Sequence, residues 1–348
     1  MTATPVNRQD LDGEFQTEQD FTSQNSVEVA ANGRFVRQTN TFTASFGSGE
    51  GQLPVQAGKY RLLWSPVCPW AHRTVIVRKL LGLEAVISLG TADPLRPAVD
   101  HIDWAFTLDK AGRDPVLDVQ YVGEVYENAE PGYLKAGKRP TVPALVDIAS
   151  KKVVENDYHH LTYYFEKAWQ AFHRADAPDL LPEDLEQDIR ELNDIIFLEV
   201  NNGVYRAGFA RSQEAYEKAY DRLFARLDWL EERLAKRRYL HGDRLTDSDV
   251  RLYTTLARFD VAYYSAFNCN RNRLIDFPNL WAYARDLYQT YGFGDTTDFE
   301  AIKTHYFLST HIDPTEAHQK ILPKGPELIQ WTNWQAPHGR DKIDFEIK

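Results

Sequence analysis

Apolar residues change their spacing twice along the chain, and each change marks a new kind of structure. Residues 1 to about 55 are polar and broken by Gly, Asn and Ser, with short extended pieces such as Arg34-Phe35-Val36-Arg37. They are expected to form an extended arm laid on a domain. Gly47-Ser48-Gly49-Glu50-Gly51 lies within it, without a strand before or a helix after, and reads as a flexible loop instead of a phosphate-binding one. Tyr60-Arg61-Leu62-Leu63-Trp64 is a compact apolar run ending at Ser65-Pro66, and Ala71 to Leu81 then carries apolar residues at helical spacing. Strand, tight loop and helix follow in order. Arg78 and Lys79 complement the negative end of that helix and Gly82 stops it. Glu84 to Leu89 predicts a second strand, which makes a βαβ unit with a parallel pair.

An irregular stretch follows, roughly 91 to 138, with Asp, Pro and Gly scattered through it and an aromatic patch at Trp104-Ala105-Phe106. Insertions of that length are uncommon in compact domains and are usually functional. Thr141 to Asp147 and Lys152 to Glu155 then predict an antiparallel hairpin. From about 157 the spacing turns helical, over Asp157 to Trp169, Glu183 to Val200, Ser212 to Leu234, Asp247 to Phe267, Pro278 to Tyr291 and Asp298 to Tyr306. Thr246-Asp247-Ser248-Asp249 has the capping-box layout, with Leu245 able to staple against Val250, so a buried central helix should start there. The reading is therefore α/β plus all-α: an arm over 1–55, a domain over 56–170 with its insertion around 91–138, an all-helical domain over 180–310, and an irregular tail over 311–348.

Composition narrows the function classes. A length of 348 residues with 43% hydrophobic positions supports two cores, and two cysteines exclude a disulfide-stapled scaffold or a Cys-based zinc ribbon. A net charge of −11 argues against a nucleic-acid or anionic-membrane binder, which needs clustered Lys and Arg. The start has no apolar core of the signal-peptide kind, and no apolar run approaches the ~18 residues of a membrane span. A soluble cytoplasmic protein is expected.

The candidate for chemistry is Cys68, in Ser65-Pro66-Val67-Cys68-Pro69-Trp70-Ala71, where a strand feeds the first turn of a helix. Unpaired amides and the positive helix end stabilise a thiolate there, so the thiol is expected to titrate below its unperturbed ~8.5. Pro69 suits the first helical turn, and His72 and Arg73 can add positive charge. Ala71 stands where a Cys-x-x-Cys partner would be, so a mixed disulfide on Cys68 must be resolved by a second thiol from solution. A buried structural cysteine is the competing reading, and it is the one adopted for Cys269.

Other groupings carry less. Asp157, His159 and His160 suggest a metal site, but adjacent histidines face different sides of a helix, and no metal is expected. Ser-His-Asp, Walker-type and His-Glu-x-x-His signatures find no match. Tyr205 lies in a glycine-broken interruption, Asn201 to Phe209, between two long helices, where its phenol can donate to a substrate or cap a packed turn. Tyr263, Tyr264 and Tyr306 can line an aromatic pocket or belong to the core.

Cys68-Pro69-Trp70-Ala71-His72-Arg73 on a thioredoxin-like strand-loop-helix, Thr141-Val142-Pro143 entering the next strand, and a following helical domain resemble the glutathione transferase superfamily. With Asn201 to Phe209, Phe259-Asp260 before Tyr263, and Ile302-Lys303-Thr304-His305-Tyr306, the chain resembles its xi class, the glutathionyl-hydroquinone reductases, over most of residues 58 to 326. That resemblance implies a thioredoxin-like N-terminal domain, a glutathione-transferase-type helical domain and a homodimer. It also implies reductive deglutathionylation: Cys68 attacks the sulfur of a glutathionyl-hydroquinone, the hydroquinone leaves, and a second thiol frees the cysteine. Trp104 and Arg139 match positions that contact the thiol, and Val142, before a cis Pro143, would pair with its peptide backbone. Tyr205, Tyr263 and Tyr306 match the tyrosines facing the aromatic substrate. One departure stands out: Asp157-Tyr158 occupies the place of the family's Glu-Ser, which binds the γ-glutamyl carboxylate. Tyr158 is too bulky for the serine's pocket, so the co-substrate is expected to be a weakly bound glutathione or another low-molecular-weight thiol such as mycothiol. A general omega-like thioltransferase or dehydroascorbate reductase, and a binding protein without turnover, remain as alternatives.

Overall fold

The computed structural model describes residues 28–97, 101–309, 321–333 and 335–342. Positions 1–27 of the expected arm, and 311–320, 334 and 343–348 of the expected tail, lie outside the described residues. Strand β1 (Tyr60–Trp64), wholly buried, lies inside a four-stranded sheet of order β2-β1-β3-β4. Strand β2 (Ser88–Thr91) runs parallel to β1, while β3 (Ala144–Asp147) pairs antiparallel with β1 and β4 (Lys152–Glu155) antiparallel with β3. Helix α1 (Pro69–Leu80) makes the crossover between the parallel strands, with every residue but Lys79 buried. It ends at Gly82, whose φ of +76° reverses the chain.

The sequence placed β2 four residues early. Arg78 is the reason: its guanidinium takes the Glu84 and Ile87 carbonyls at 3.0 and 2.6 Å, holding 84–87 as a turn before the ladder begins. The insertion is also more ordered than expected and contains helix α2 (Gly123–Ala129). Three buried aspartates hold it. Asp93 accepts the Thr107 amide (3.0 Å), Asp103 the Trp104 and Gly123 amides (2.6 and 3.0 Å), and Asp114 the Leu117 amide (2.8 Å) while pairing with Arg61 of β1 at 2.7 Å. Carboxylates buried this way replace the missing ladder, because each accepts several amides that burial would otherwise leave unpaired.

After β4 the chain is helical: α3 (Leu161–Lys167), α4 (Glu186–Ile196), α5 (Gly203–Gly208), α6 (Gln213–Leu234), α7 (Asp247–Arg258), α8 (Pro278–Tyr288), α9 (Phe299–Leu308) and the short α10 (Ile329–Thr332). Helix α3 begins four residues later than its spacing suggests, since Asp157 spends its carboxylate on the His159 amide (2.9 Å) and holds one separate turn. All twelve residues of α7 are buried, and Asp249 reaches back to the Thr246 amide at 2.8 Å, as its capping layout requires. Two helices that read as continuous are interrupted by π turns, Phe197–Asn201 after α4 and Phe259–Tyr263 after α7. An inserted residue of that kind leaves the apolar spacing nearly unchanged, so sequence periodicity does not reveal it; π turns are frequent at functional sites. The fold is a thioredoxin-like layer joined to a helical half, with α1 packed between the sheet and α7. No helix among the described residues is long and apolar enough to cross a membrane.

Candidate active site

Cys68 is the N-cap of α1, with Pro69 at the first helical position. Its carbonyl accepts the first helical bond, from the His72 amide at 2.9 Å, and its own amide is tied to the Ser65 carbonyl at 3.0 Å. The thiol points across to the Val142 carbonyl at 3.3 Å, next to the cis Val142-Pro143 bond. A cavity of about 190 Å³ opens over it. That is below the roughly 300 Å³ where pockets for drug-sized molecules begin.

Burial dominates the electrostatics. It pushes the Cys68 thiol up, against the pull of the Ala71 and Trp70 amides and of the Arg258 and Arg37 charges. The expected depression is therefore corrected: the helix end acts on the sulfur, but desolvation outweighs it. The charges differ from expectation as well. His72 is buried and kept neutral, with Nδ1 accepting from Arg258 at 3.2 Å and Nε2 left to donate to Thr296 at 2.9 Å. Burial lowers Arg73 to about 9, and it stacks beneath Trp70, 4.9 Å from the ring centre. The cation that grips the cysteine loop is Arg258, at the end of α7, whose guanidinium takes the Pro66 and Val67 carbonyls at 2.7 and 3.0 Å. Sequence reading missed it; its place just before Phe259-Asp260 was the available signal.

On the sheet side, Trp104, Arg139, Val142 and Tyr158 line the cavity. Trp104 lies flat on His305 (5.6 Å, 14°), and Tyr158 leans on Trp70 at 5.0 Å. Burial holds the Tyr158 phenol up at about 12. Arg139 is already engaged, with Glu28 at 2.6 Å from its guanidinium. Asp157 is not among the lining residues: its carboxylate accepts from Asn40 (3.1 Å) and pairs with His160 (2.6 Å). Burial alone would raise it, but the His160 and His159 hydrogen bonds hold it at about 2.

On the helical side, three tyrosines from three segments meet. The Tyr205 hydroxyl lies 2.5 Å from that of Tyr306 and 3.4 Å from that of Tyr263, and the last two are 3.2 Å apart. Burial raises all three phenols, so they keep their protons and can donate. Tyr205 and Tyr306 reach the cavity and Tyr263 backs them. Cys269 is fully buried and lies outside the lining, with its sulfur 3.7 Å from the Phe267 carbonyl.

The chain as a whole is similar to known proteins. The family model of the glutathione S-transferase C-terminal domain matches residues 213–286. The chain is 39% identical over 319 residues to the glutathionyl-hydroquinone reductase YqjG of Escherichia coli, covering 89% of this chain and 93% of that one. The glutathione-bound structure of YqjG aligns with a TM-score of 0.75, over 90% of this chain and 98% of that one, at 38% identity. A glutathione transferase structure from Gordonia bronchialis is 52% identical with a TM-score of 0.77, covering 84% and 88% of the two chains. The xi-class transferase of Phanerochaete chrysosporium aligns with a TM-score of 0.78 at 38% identity, over 86% and 94%. The chain belongs to the xi class of the glutathione transferases, the glutathionyl-hydroquinone reductase family, and is a glutathione-transferase-like reductase enzyme.

Proposed function

We propose that the enzyme removes a low-molecular-weight thiol from thiol–hydroquinone adducts through a mixed disulfide on Cys68. The observation that carries this is the placing of the Cys68 sulfur in one cavity with the Tyr205 and Tyr306 hydroxyls. The Cys68 thiolate attacks the adduct sulfur, the sulfur–carbon bond breaks, and its electron pair passes to the ring, which takes a proton and leaves as hydroquinone. Donation from Tyr205 or Tyr306 stabilises negative charge developing on the ring oxygen, and Tyr263 holds the pair in place. A second thiolate then attacks the mixed disulfide and leaves as a disulfide, returning Cys68. The aromatic compound is reduced by two electrons, and the adduct sulfur and the one thiol consumed end together as a disulfide, as a chain with one accessible sulfur requires.

Glutathione is the first co-substrate to consider, since the glutathione-bound relative shares this fold. Trp104 and Arg139 would flank it and the Val142 main chain would pair with its backbone. Two features favour another thiol, such as mycothiol: the Tyr158 ring, leaning on Trp70, stands where the resemblance puts the serine that binds the γ-glutamyl carboxylate, and Glu28 already pairs with Arg139. Asp157, turned toward Asn40 and His160, would position the turn behind Tyr158 and make no direct contact with the thiol. Neither a homodimer nor a reducing, cytoplasmic setting conflicts with this scheme, and light scattering on the purified protein tests the first.

The test is mass spectrometry of Cys68 after exposure to glutathione disulfide and to mycothiol disulfide, alongside turnover by Cys68→Ser. An adduct on Cys68 together with abolished turnover is expected. Unchanged function in Cys68→Ser would leave a binding role. Rapid reduction of unrelated mixed disulfides, with no preference for aromatic adducts, would favour the omega-like reading.

A further inference from the structure

Among the described residues a single carboxylate lines the Cys68 cavity, and it comes from the arm before β1. Glu28 places its Oε2 2.6 Å from the Arg139 guanidinium, itself part of the lining. Neither side chain is sealed: 17% of Glu28 and 25% of Arg139 stay accessible, so a ligand in the cavity can reach the pair. Backbone and side chain both hold Glu28 there. Its carbonyl accepts the Val36 amide at 2.9 Å, and its other carboxylate oxygen accepts the Gln38 amide. Gln38 in turn pairs with the Arg139 backbone in both directions (3.1 and 2.9 Å). Between Glu28 and Val36 the chain makes a turn clamped to the start of α6, where the Arg211 amide donates to the Gly33 carbonyl (2.8 Å) and the Ser212 hydroxyl to that of Asn32 (3.0 Å). Gly33 has φ +83°, and a Cβ there would lie 2.8 Å from Ser212, so the clamp requires glycine. The two charges are brought together by a fixed path of the chain.

Other cations of the cavity are engaged differently. Arg37 lies over the Trp70 and Tyr205 rings (4.5 and 4.4 Å) and donates to Asn202 at 2.6 Å. Arg96 lies over Trp104 (4.6 Å) and donates to the Ile102 carbonyl at 3.2 Å. Arg139 has its charge answered by a carboxylate of the chain itself. A thiol that presents a carboxylate to Arg139 must displace Glu28 and lose a charge-assisted pair, or lie beside it as a like charge. Either way the attraction that an open arginine offers a carboxylate is withdrawn, whereas a thiol uncharged at that point loses nothing.

We infer that Glu28 is a specificity-determining residue: by pairing with Arg139 it selects against low-molecular-weight thiols that bring a carboxylate to Arg139 and favours thiols uncharged there. The inference rests on the reading of this cavity as the site of a thiol-dependent reductase, and it names the arm as the part of the chain that chooses the thiol.

Calorimetric binding to Cys68→Ser protein tests it without chemistry, using glutathione and glutathione diethyl ester, whose two carboxylates are masked, as the probes. Adding Glu28→Gln, which keeps an oxygen for the Gln38 amide, should tighten glutathione about tenfold or more, the range of one charge-assisted hydrogen bond, and should not tighten the ester. Glu28→Ala should give a similar gain, which separates release of Arg139 from donation by the new amide. Arg139→Met or Arg139→Gln, added to Glu28→Gln, should abolish the gain. Unchanged or weaker glutathione binding in both Glu28 variants, an equal gain for the ester, a gain that survives loss of Arg139, or no binding of either probe in any variant would overturn the inference. Turnover is read separately on wild-type protein with glutathionyl-hydroquinone, so failure of the reductase reading is distinguishable from failure of this one.

Discussion

Both sulfurs of the chain are buried, yet their surroundings differ in kind. Around Cys269 the helical half offers carbonyls at 3.7 and 3.9 Å, and burial alone acts on the thiol, raising it far above its ordinary range. Around Cys68 burial also raises the thiol, but the Trp70 and Ala71 amides and the Arg258 and Arg37 charges pull the other way, and a cavity opens beside it. Desolvation is common to both, so the two are separated by oriented dipoles, cations and access. On the proposed mechanism, what sets the nucleophile apart from Cys269 is compensation of its burial by these dipoles and charges.

Alkylation of native protein sharpens that contrast most. Iodoacetamide should label Cys68 at least about a thousandfold faster than Cys269, whose exposure requires local or global opening; comparable labelling of both would erase the distinction. Tyr306→Phe removes a proton donor from the wall facing Cys68. By analogy with loss of one oxyanion donor, turnover should fall by about a hundredfold while the alkylation rate stays level, and an unchanged kcat would detach the phenolic wall from the chemistry.

The pH profile comes next. With its thiol raised by burial, Cys68 is mostly protonated at neutral pH, and its thiolate fraction grows about tenfold per pH unit until the raised value is reached. Alkylation should still be climbing above pH 8.5, and a plateau below that would mean burial does not dominate. Arg258→Met removes the guanidinium holding the Pro66 and Val67 carbonyls, at a cost of about 3 kcal/mol in stability. It should also slow Cys68 labelling several-fold and move the profile to higher pH, read by thermal melting and the same assay. Cys269→Ala completes the comparison with the smallest effect expected, turnover within about twofold of wild type.

The site was legible where chemistry is local in sequence. Cys68-Pro69 after an apolar run gave the N-cap and its proline, and the missing Cys-x-x-Cys partner gave a monothiol scheme. Arg258 was not legible, because it lies 191 residues from Val67 and a basic residue at a helix C-terminus is already explained by the dipole. Neither was the Glu28–Arg139 pair, which depends on where an irregular arm lands. The Cys68 titration was misjudged for a related reason: the helix dipole is read from neighbouring residues, whereas desolvation comes from everything packed around them.

The sequence by itself determined the strand-loop-helix that carries Cys68, the antiparallel hairpin, the position of the buried α7 and the family resemblance, since each rests on spacing, capping or contiguous motif. Tertiary structure alone decided that Tyr205, Tyr263 and Tyr306 share one hydrogen-bonded cluster, that Asp157 turns from the cavity while Tyr158 lines it, and that Arg37 lines the same cavity as Cys68. Hydrophobic spacing specifies which face of an element is buried, but the meeting of polar groups across elements depends on how those faces dock.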